Sequence, residues 1–474
     1  MARAACALLL AGLAVAQKAN IPLPDVAGTY AIERLPASSR HASLTDLTMT
    51  DNVVNLRRGT GWSSSAAYLQ ALRREEDAVD SVRTANGSVN LLAGNAGSVF
   101  LAPIVVGGQS FDVVIDTGSS DPWLVISNFE CIDVYNGSQA SEGDCGFGPT
   151  YNPAQSSTYA ILPNENFAIS YADGESATGS MGYETFRMGG ITVPKQEFGL
   201  VNSTAWNGDG VSSGLVGFAS GAITSAYPGD NSSADTNVEP LFYNPLFYNM
   251  FQKQGVLPVF SLAINRDYTN GGVLALGGLP DVPYSPGFAS TPIIPSNLYN
   301  QTSGQYLYEF YTVVVNGFGF SNSNSTRFNV LGVPNSQKKP LAGNGTLSIV
   351  DSGTSIIFVD NATLAQPTAM LFSPPGTWNP EYSVWNVACN ATPPIFGVSI
   401  ANKMFYVNPA DMIVEQGPGF CISGVQASFG NLTILGDVWM KNVLCVFDLG
   451  AEMMRFAARE FDGLTASAIK KPNT

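Results

Sequence analysis

Two stretches of this sequence carry the residue types of an acid–base reaction: Asp116-Thr117-Gly118-Ser119-Ser120 and Asp351-Ser352-Gly353-Thr354-Ser355. In each, an apolar run (Val114-Ile115 or Ile349-Val350) leads into an aspartate, a small hydroxyl residue, a glycine and further hydroxyls. Short runs that are apolar throughout mark buried strands, so each aspartate is expected where such a strand ends. Two copies, one in each half of the chain, can set two carboxylates side by side across a two-fold axis. Carboxylates in contact do not both ionise cheaply, so one pKa falls, the other rises, and the pair holds one proton. The ionised member can then take a proton from water while the neutral one hydrogen-bonds an electrophile.

Rival chemistries are short of residues. The single histidine, His41, lies in the basic N-terminal region, so a body without that region has no Ser-His-Asp or Cys-His catalysis and no His-ligated zinc. Six widely spaced cysteines do not make an all-cysteine metal site, and no glycine-rich stretch has the frame of a phosphate or dinucleotide loop. Neither metal nor cofactor is expected. Residues 75–474 hold fourteen Lys/Arg against thirty-three Asp/Glu, a balance that repels phosphates and argues against a nucleic-acid partner.

The elements that must position the two aspartates read mainly as strands. A chain of 474 residues, 45% hydrophobic, with 48 glycines and 29 prolines in no fixed period, fits two β-rich lobes plus additional segments. Ser98–Val106 alternates, Gly107-Gly108-Gln109 is a hairpin turn, and Phe111–Ile115 is a buried strand. Phe167–Tyr171 leads through Ala172-Asp173-Gly174-Glu175 into Gly179–Phe186, a second hairpin. In the second half Tyr311–Val315, Leu347–Val350, Thr433–Leu435 and Leu444–Phe447 repeat the theme. Helices are expected at Pro245–Gln254, Thr363–Phe372 and Pro409–Val414. The Pro-rich stretch 285–295 is the expected crossover between lobes at 75–285 and 286–474. The polar stretches 220–239 and 321–345 read as surface loops.

Residues 1–16 read as a signal peptide: Arg3, an apolar run from Ala4, and a small-residue cleavage site at Ala14-Val15-Ala16. Residues 17–74 read as a basic propeptide ending at the dibasic Arg73-Arg74, with a boundary that can extend to about residue 85. Over residues 1–74 eight Lys/Arg stand against four Asp/Glu, so the leader is cationic and the body anionic. Within it Leu47–Leu56 alternates like a strand and Ala66–Arg74 looks helical. No later stretch reads as a membrane anchor. Cys131 and Cys145, and Cys389 and Cys421, are plausible local bridges, although four cysteines admit three pairings. Cys445 sits in an apolar strand and reads as a free thiol. Ten Asn-x-Ser/Thr sequons fit a glycoprotein.

From residue 92 to 458 the chain resembles the secreted, fungal-like pepsin-type aspartic endopeptidases. The resemblance runs in order through Asp116–Ser120 with Trp123, the Cys131–Cys145 loop, Ile169–Gly174, Gly214–Gly217, Leu276–Gly278, Val350–Ser355, Cys389 with Cys421, and Ile434–Asp437 on to Asp448. It implies an all-β, bilobal fold with the cleft between two pseudo-two-fold-related barrel-like lobes, and hydrolysis of internal peptide bonds at acid pH. The paired-aspartate behaviour above is the one for which these proteases are the standard example. By resemblance Asp116 and Asp351 are catalytic. Thr117, Gly118, Ser119, Ser352, Gly353 and Thr354 align them. Tyr171, Asp173 and Gly174 form a flap over an extended peptide, with Trp123 beneath the tyrosine and Ser355 near substrate. The propeptide is an intramolecular inhibitor, and the enzyme is a secreted monomer, with an acidic vacuole as the alternative destination. Ala172 and Ser213 depart from the family pattern, and Asp121, Asp437 and Asp448 read as loop or turn carboxylates. Two other readings are a silent, peptide-binding relative, which would be expected to have lost an aspartate or its glycine, and a two-carboxylate glycoside hydrolase, which leaves the matched repeats unexplained.

Overall fold

The run Phe111–Ile115 lies inside the strand Gln109–Asp116, and its partner in the second half lies inside Thr346–Val350. A computed structural model of the chain describes residues 47–58 and 99–459, apart from short stretches at 135, 172–173, 236–239, 267–270, 286, 296–298, 301–304, 307, 322–328, 332–344, 381, 418 and 429–432. The signal peptide, the expected helix Ala66–Arg74, the dibasic Arg73-Arg74, and Ala172 and Asp173 of the flap lie outside the described residues.

The architecture is two β lobes. In the first, the Gln109–Asp116 strand lies between Phe100–Val106, to which the tight turn at Gly107-Gly108 connects it, and Gly214–Gly217. Outward from there run Pro122–Ile132, Ile191–Ala205 and the hairpin Ser176–Met188/Ala160–Ser170 that carries the flap tip. In the second, Thr346–Val350 lies between Thr312–Val315 and Thr433–Leu435, in a five-stranded sheet completed by Ile357–Val359 and Val425–Ala427.

The repeat seen in the sequence is a repeat of register. Val114, Ile115 and Asp116 pair in parallel with Leu215, Val216 and Gly217, while Pro122 returns antiparallel onto Val216. Ser348, Ile349 and Val350 pair in parallel with Thr433, Ile434 and Leu435, while Ile357 returns antiparallel onto Leu435. Each aspartate therefore sits in a loop whose two ends are fastened to the same short strand.

The lobes are joined by strands. Val259–Ile264 and Gly272–Leu276 close the first lobe, and Val259 to Leu262 pairs antiparallel with Asp448 to Cys445 of the second. Ala289–Pro292, within the expected crossover, pairs with Met453–Ala458. Phe260 stacks on Phe447 across this junction, 4.4 Å between ring centres and 6° from parallel, with Tyr311 edge-on to both. Such pairs add about 0.5–1.5 kcal/mol beyond the area they bury.

A strand from the expected propeptide region contributes to this frame. Val53–Arg58 is a strand paired on both sides, with Val53 to Leu56 against Ala275 to Gly272 and Arg57-Arg58 against Leu101-Phe100. Its alternation is the one read from the sequence: Val54 and Leu56 are buried, Val53 and Asn55 exposed.

Several expectations are corrected. The helix expected at Thr363–Phe372 is a wide turn, Asn361–Ala365, followed by four helical residues, Gln366–Ala369. Pro409–Val414 is a single 3-10 turn, Pro409–Asp411, before the chain enters a strand at Ile413. Leu246–Lys253 is helical as expected and buries Phe247, Met250 and Phe251. Both local bridges form, Cys131–Cys145 and Cys389–Cys421, and Cys445 is a buried free thiol.

Candidate active site

The parallel strands deliver Asp116 and Asp351 to one place, and the residues beside them hold the two loops in mirror fashion. Thr117 Oγ1 donates to the Val350 carbonyl at 3.1 Å and accepts the Ser352 amide at 2.9 Å. Ser352 Oγ donates to the Ile115 carbonyl at 2.9 Å and accepts the Thr117 amide at 3.2 Å. Thr117 and Ser352 are buried, so these four exchanged bonds lie out of water. Each hydroxyl reaches across the two-fold axis to the strand that ends in the opposite aspartate.

Each carboxylate is held by its own loop. Asp116 Oδ1 accepts the Gly118 amide at 2.7 Å and its Oδ2 the Ser119 hydroxyl at 2.5 Å. Asp351 Oδ1 accepts the Gly353 amide at 2.8 Å and its Oδ2 the Thr354 hydroxyl at 2.6 Å. The glycines are required by space: a Cβ on Gly118 would lie 2.6 Å from Asp351 Oδ1, and one on Gly353 would strike Asp116 Oδ1. Closure of this kind leaves glycine alone able to occupy both positions.

Burial is the main reason that Asp116 has its pKa raised, and the neighbouring charge of Asp351 adds to it; Ser119 and Gly118 oppose. Asp351 is also raised, chiefly by burial, against the hydrogen bonds from Thr354 and Gly353. The two carboxyls also hydrogen-bond one another, so the pair, rather than either member alone, holds the shared proton. The arrangement provides one base and one acid within reach of the same water.

Tyr171 lies at the tip of the hairpin, and its hydroxyl accepts a hydrogen bond from Trp123 Nε1 at 2.9 Å. Trp123 is fully buried, so it reaches the cleft only through Tyr171. Gly174 takes a positive φ of 87° and donates its amide to the Tyr171 carbonyl at 3.1 Å. Ser355 is buried and its carbonyl accepts the Val438 amide at 2.9 Å, which makes it part of the loop's support. Among the described residues no three His, Cys, Asp or Glu side chains converge as a metal site would require.

Of the three carboxylates read as loop or turn residues, Asp121 does lie in the loop before Pro122, whereas Asp437 and Asp448 are placed otherwise. Asp448 lies within a strand, in a buried ion pair with Arg455 at 2.7 Å. Asp437 is buried at the start of a short helix. Asp121 is fully buried, with Oδ1 accepting the Ser225 amide at 2.9 Å and the Tyr243 hydroxyl at 2.5 Å, and burial pushes its pKa up to about 6. Sequence reading also passed over Glu175, Trp206 and Asn207 beside the flap. A signal was present in the glycine-rich Cys145-Gly146-Phe147-Gly148 and Asn207-Gly208-Asp209-Gly210, which suit two backbones in close contact.

Comparison with known proteins gives a consistent picture. Residues 99–459 match the family model described as eukaryotic aspartyl protease. The chain is 37% identical, over 384 residues (79% of this chain and 81% of that protein), to a protein of Aspergillus fumigatus described as a probable aspartic-type endopeptidase. It is 27% identical to secreted aspartic protease 8 of Candida albicans, over 81% of each chain. Human gastricsin is 28% identical over 74% of this chain and 78% of its own.

Proposed function

The chain belongs to the eukaryotic aspartyl protease family and is an aspartic-type endopeptidase, and on that premise we propose that it is a secreted enzyme, made as a zymogen and active at acid pH. In this reading an extended peptide lies under the Tyr171 hairpin, recognised mainly through its backbone. The ionised member of the pair takes a proton from a water held between the carboxyls. The member that keeps the shared proton hydrogen-bonds the scissile carbonyl, and the water adds to give a tetrahedral diol. Collapse of the diol passes a proton to the leaving amine, with no covalent enzyme intermediate. The observation that carries this reading is the four-bond exchange between Thr117 and Ser352, which holds both carboxyls in one plane of action.

The pH dependence follows from the direction of the shifts. Both carboxyls are raised above the ordinary aspartate value of 3.8. The pair therefore keeps its proton at pH values where a free aspartate has lost it. Activity falls as rising pH removes that proton, and falls again at very low pH when the base is protonated too. Turnover of a peptide library, followed by mass spectrometry at several pH values, should peak in the acid range for the wild type and vanish for Asp116→Asn and Asp351→Asn. Near wild-type turnover in either variant would sink the mechanism.

The leader, the sequons and the resemblance support secretion as a glycosylated zymogen that acts as a monomer. Among the described residues no helix is long and apolar enough to cross a membrane. N-terminal sequencing of the active form from culture medium and from vacuoles tests destination and processing together: a mature form confined to vacuoles favours the alternative.

A further inference from the structure

The flap tip is closed on itself and then moored sideways. The Tyr171 amide donates to the Glu175 carbonyl at 2.8 Å, which closes the tip. The Glu175 side chain is buried, and its Oε1 accepts the backbone amide of Asn207 at 2.9 Å. Next to Asn207, the Trp206 ring stands edge-on to Tyr171 at 5.5 Å and to Trp123 at 5.1 Å between ring centres.

Residues 206–212 are fixed on their far side by the disulfide loop. Gly208 donates to the Cys145 carbonyl at 2.9 Å, Gly210 to the Gly146 carbonyl at 2.7 Å, and Gly148 to the Ser212 carbonyl at 2.8 Å. Phe147 stacks on Trp206 at 5.9 Å. The two backbones leave no room for a side chain between them: a Cβ on Gly146 would lie 2.8 Å from the Gly208 carbonyl oxygen. Cys131–Cys145 closes this loop onto the Pro122–Ile132 strand, which also carries Trp123. A continuous set of contacts thus runs from the disulfide to the flap tyrosine.

We propose, resting on the endopeptidase reading, that Glu175, Trp206 and Asn207 are positioning residues that fasten the flap to the Cys131–Cys145 loop and so fix where the Tyr171 ring stands over bound peptide. The bond from the Asn207 amide sets the height of the tip, because Glu175 Oε1 is a buried acceptor whose loss would orphan that amide. Trp206 sets the tilt of the tyrosine, because the Trp123 bond fixes only its hydroxyl end. Asp116 and Asp351 are held by Gly118, Ser119, Gly353 and Thr354, so loosening the tether leaves the proton chemistry in place while the peptide is held less well.

The experiment uses the full-length protein after activation, with a fluorogenic peptide cleaved by the wild type, and hydrogen exchange of amides 171–175 measured alongside. Glu175→Leu and Trp206→Leu should raise KM about five- to tenfold, leave kcat within about threefold and its pH profile unmoved, and speed flap exchange about tenfold. Glu175→Gln keeps an acceptor and should restore both KM and exchange. Unchanged KM and exchange in both leucine variants, or a glutamine variant as impaired as the leucine one, overturns the tether. A purely structural role would lower Tm and the inhibitor-titrated active fraction with KM unmoved, which overturns it as well. Should the wild type cleave no peptide, the endopeptidase reading fails, while exchange at the flap still decides for or against the tether.

Discussion

At Thr117 one hydroxyl serves two partners, and both lie on the opposite loop. Thr117→Val keeps the shape but leaves the Ser352 amide and the Val350 carbonyl without their bonds in a buried position. An orphaned buried polar group costs about 1–3 kcal/mol, and the loops can recover it only by rotating apart. Since the carboxyls ride on those loops, kcat should fall at least about tenfold with KM within about threefold. Thr117→Ser should stay near wild type, and steady-state kinetics at the optimal pH checks both. The aspartate pair was legible in the sequence because the motif occurs twice after an apolar run. The interlocking of the Thr117 and Ser352 hydroxyls, 235 positions apart, was implied by the family resemblance and not by local pattern, which does not encode so distant a pairing.

At the scale of elements, Asp121 ties the turn after the first catalytic loop to the segment that follows Ser220, and that segment reaches the flap through the Ala168 amide on the Ser225 carbonyl. Tyr243 and, by charge, Tyr171 and Tyr227 face it, all phenols that stay neutral over the relevant range. A folded-state pKa of about 6 against an unfolded value of 3.8 means that the folded protein binds a proton the unfolded chain has released. Stability from this group is therefore lost as pH rises from about 4 to 6, by roughly 3 kcal/mol in all. Asp121→Asn should match the wild-type Tm near pH 4 and exceed it by several degrees at pH 7; a difference constant with pH would refute the assignment. Asp448 was misread as a turn carboxylate, and although Asp121 does lie in the loop before Pro122, the bonds of both escaped the sequence for a common reason. Their partners, Ser225 and Tyr243 in one case and Arg455 across a hairpin in the other, are set by tertiary pairing that local pattern does not encode. The strands Gln109–Asp116 and Thr346–Val350, apolar throughout, were legible, and the short helix at Gln366–Ala369 was overestimated because its apolar spacing continues past the point where the chain turns.

Across the whole molecule, the leader strand Val53–Arg58 occupies an interior position between Gly272–Leu276 and Phe100–Val106. Its alternation was legible; that it would be shared between the frame and the leader was not, because both neighbours are distant in sequence. Its hold is made of backbone bonds and the buried Val54 and Leu56, and the described ion pair, Arg57 with Asp112, is mostly exposed on the arginine side. Exposed pairs contribute only about 0–1 kcal/mol, so acidification weakens little of this contact. A protein cleaved after Arg74 should therefore keep the leader peptide through size-exclusion chromatography at both pH 7 and pH 4, with mass spectrometry as the readout; release on acidification alone would show that charge is the main hold.

On the proposed zymogen reading, scission and departure would be separate events. A proton can set the catalytic pair to work, but it has little purchase on a strand hydrogen-bonded along both edges. The vacated place would present two raw β edges side by side, so the leader is exchanged for another strand more readily than it is shed. On the zymogen reading, a segment that took that seat would set how long a cut chain keeps these two edges paired.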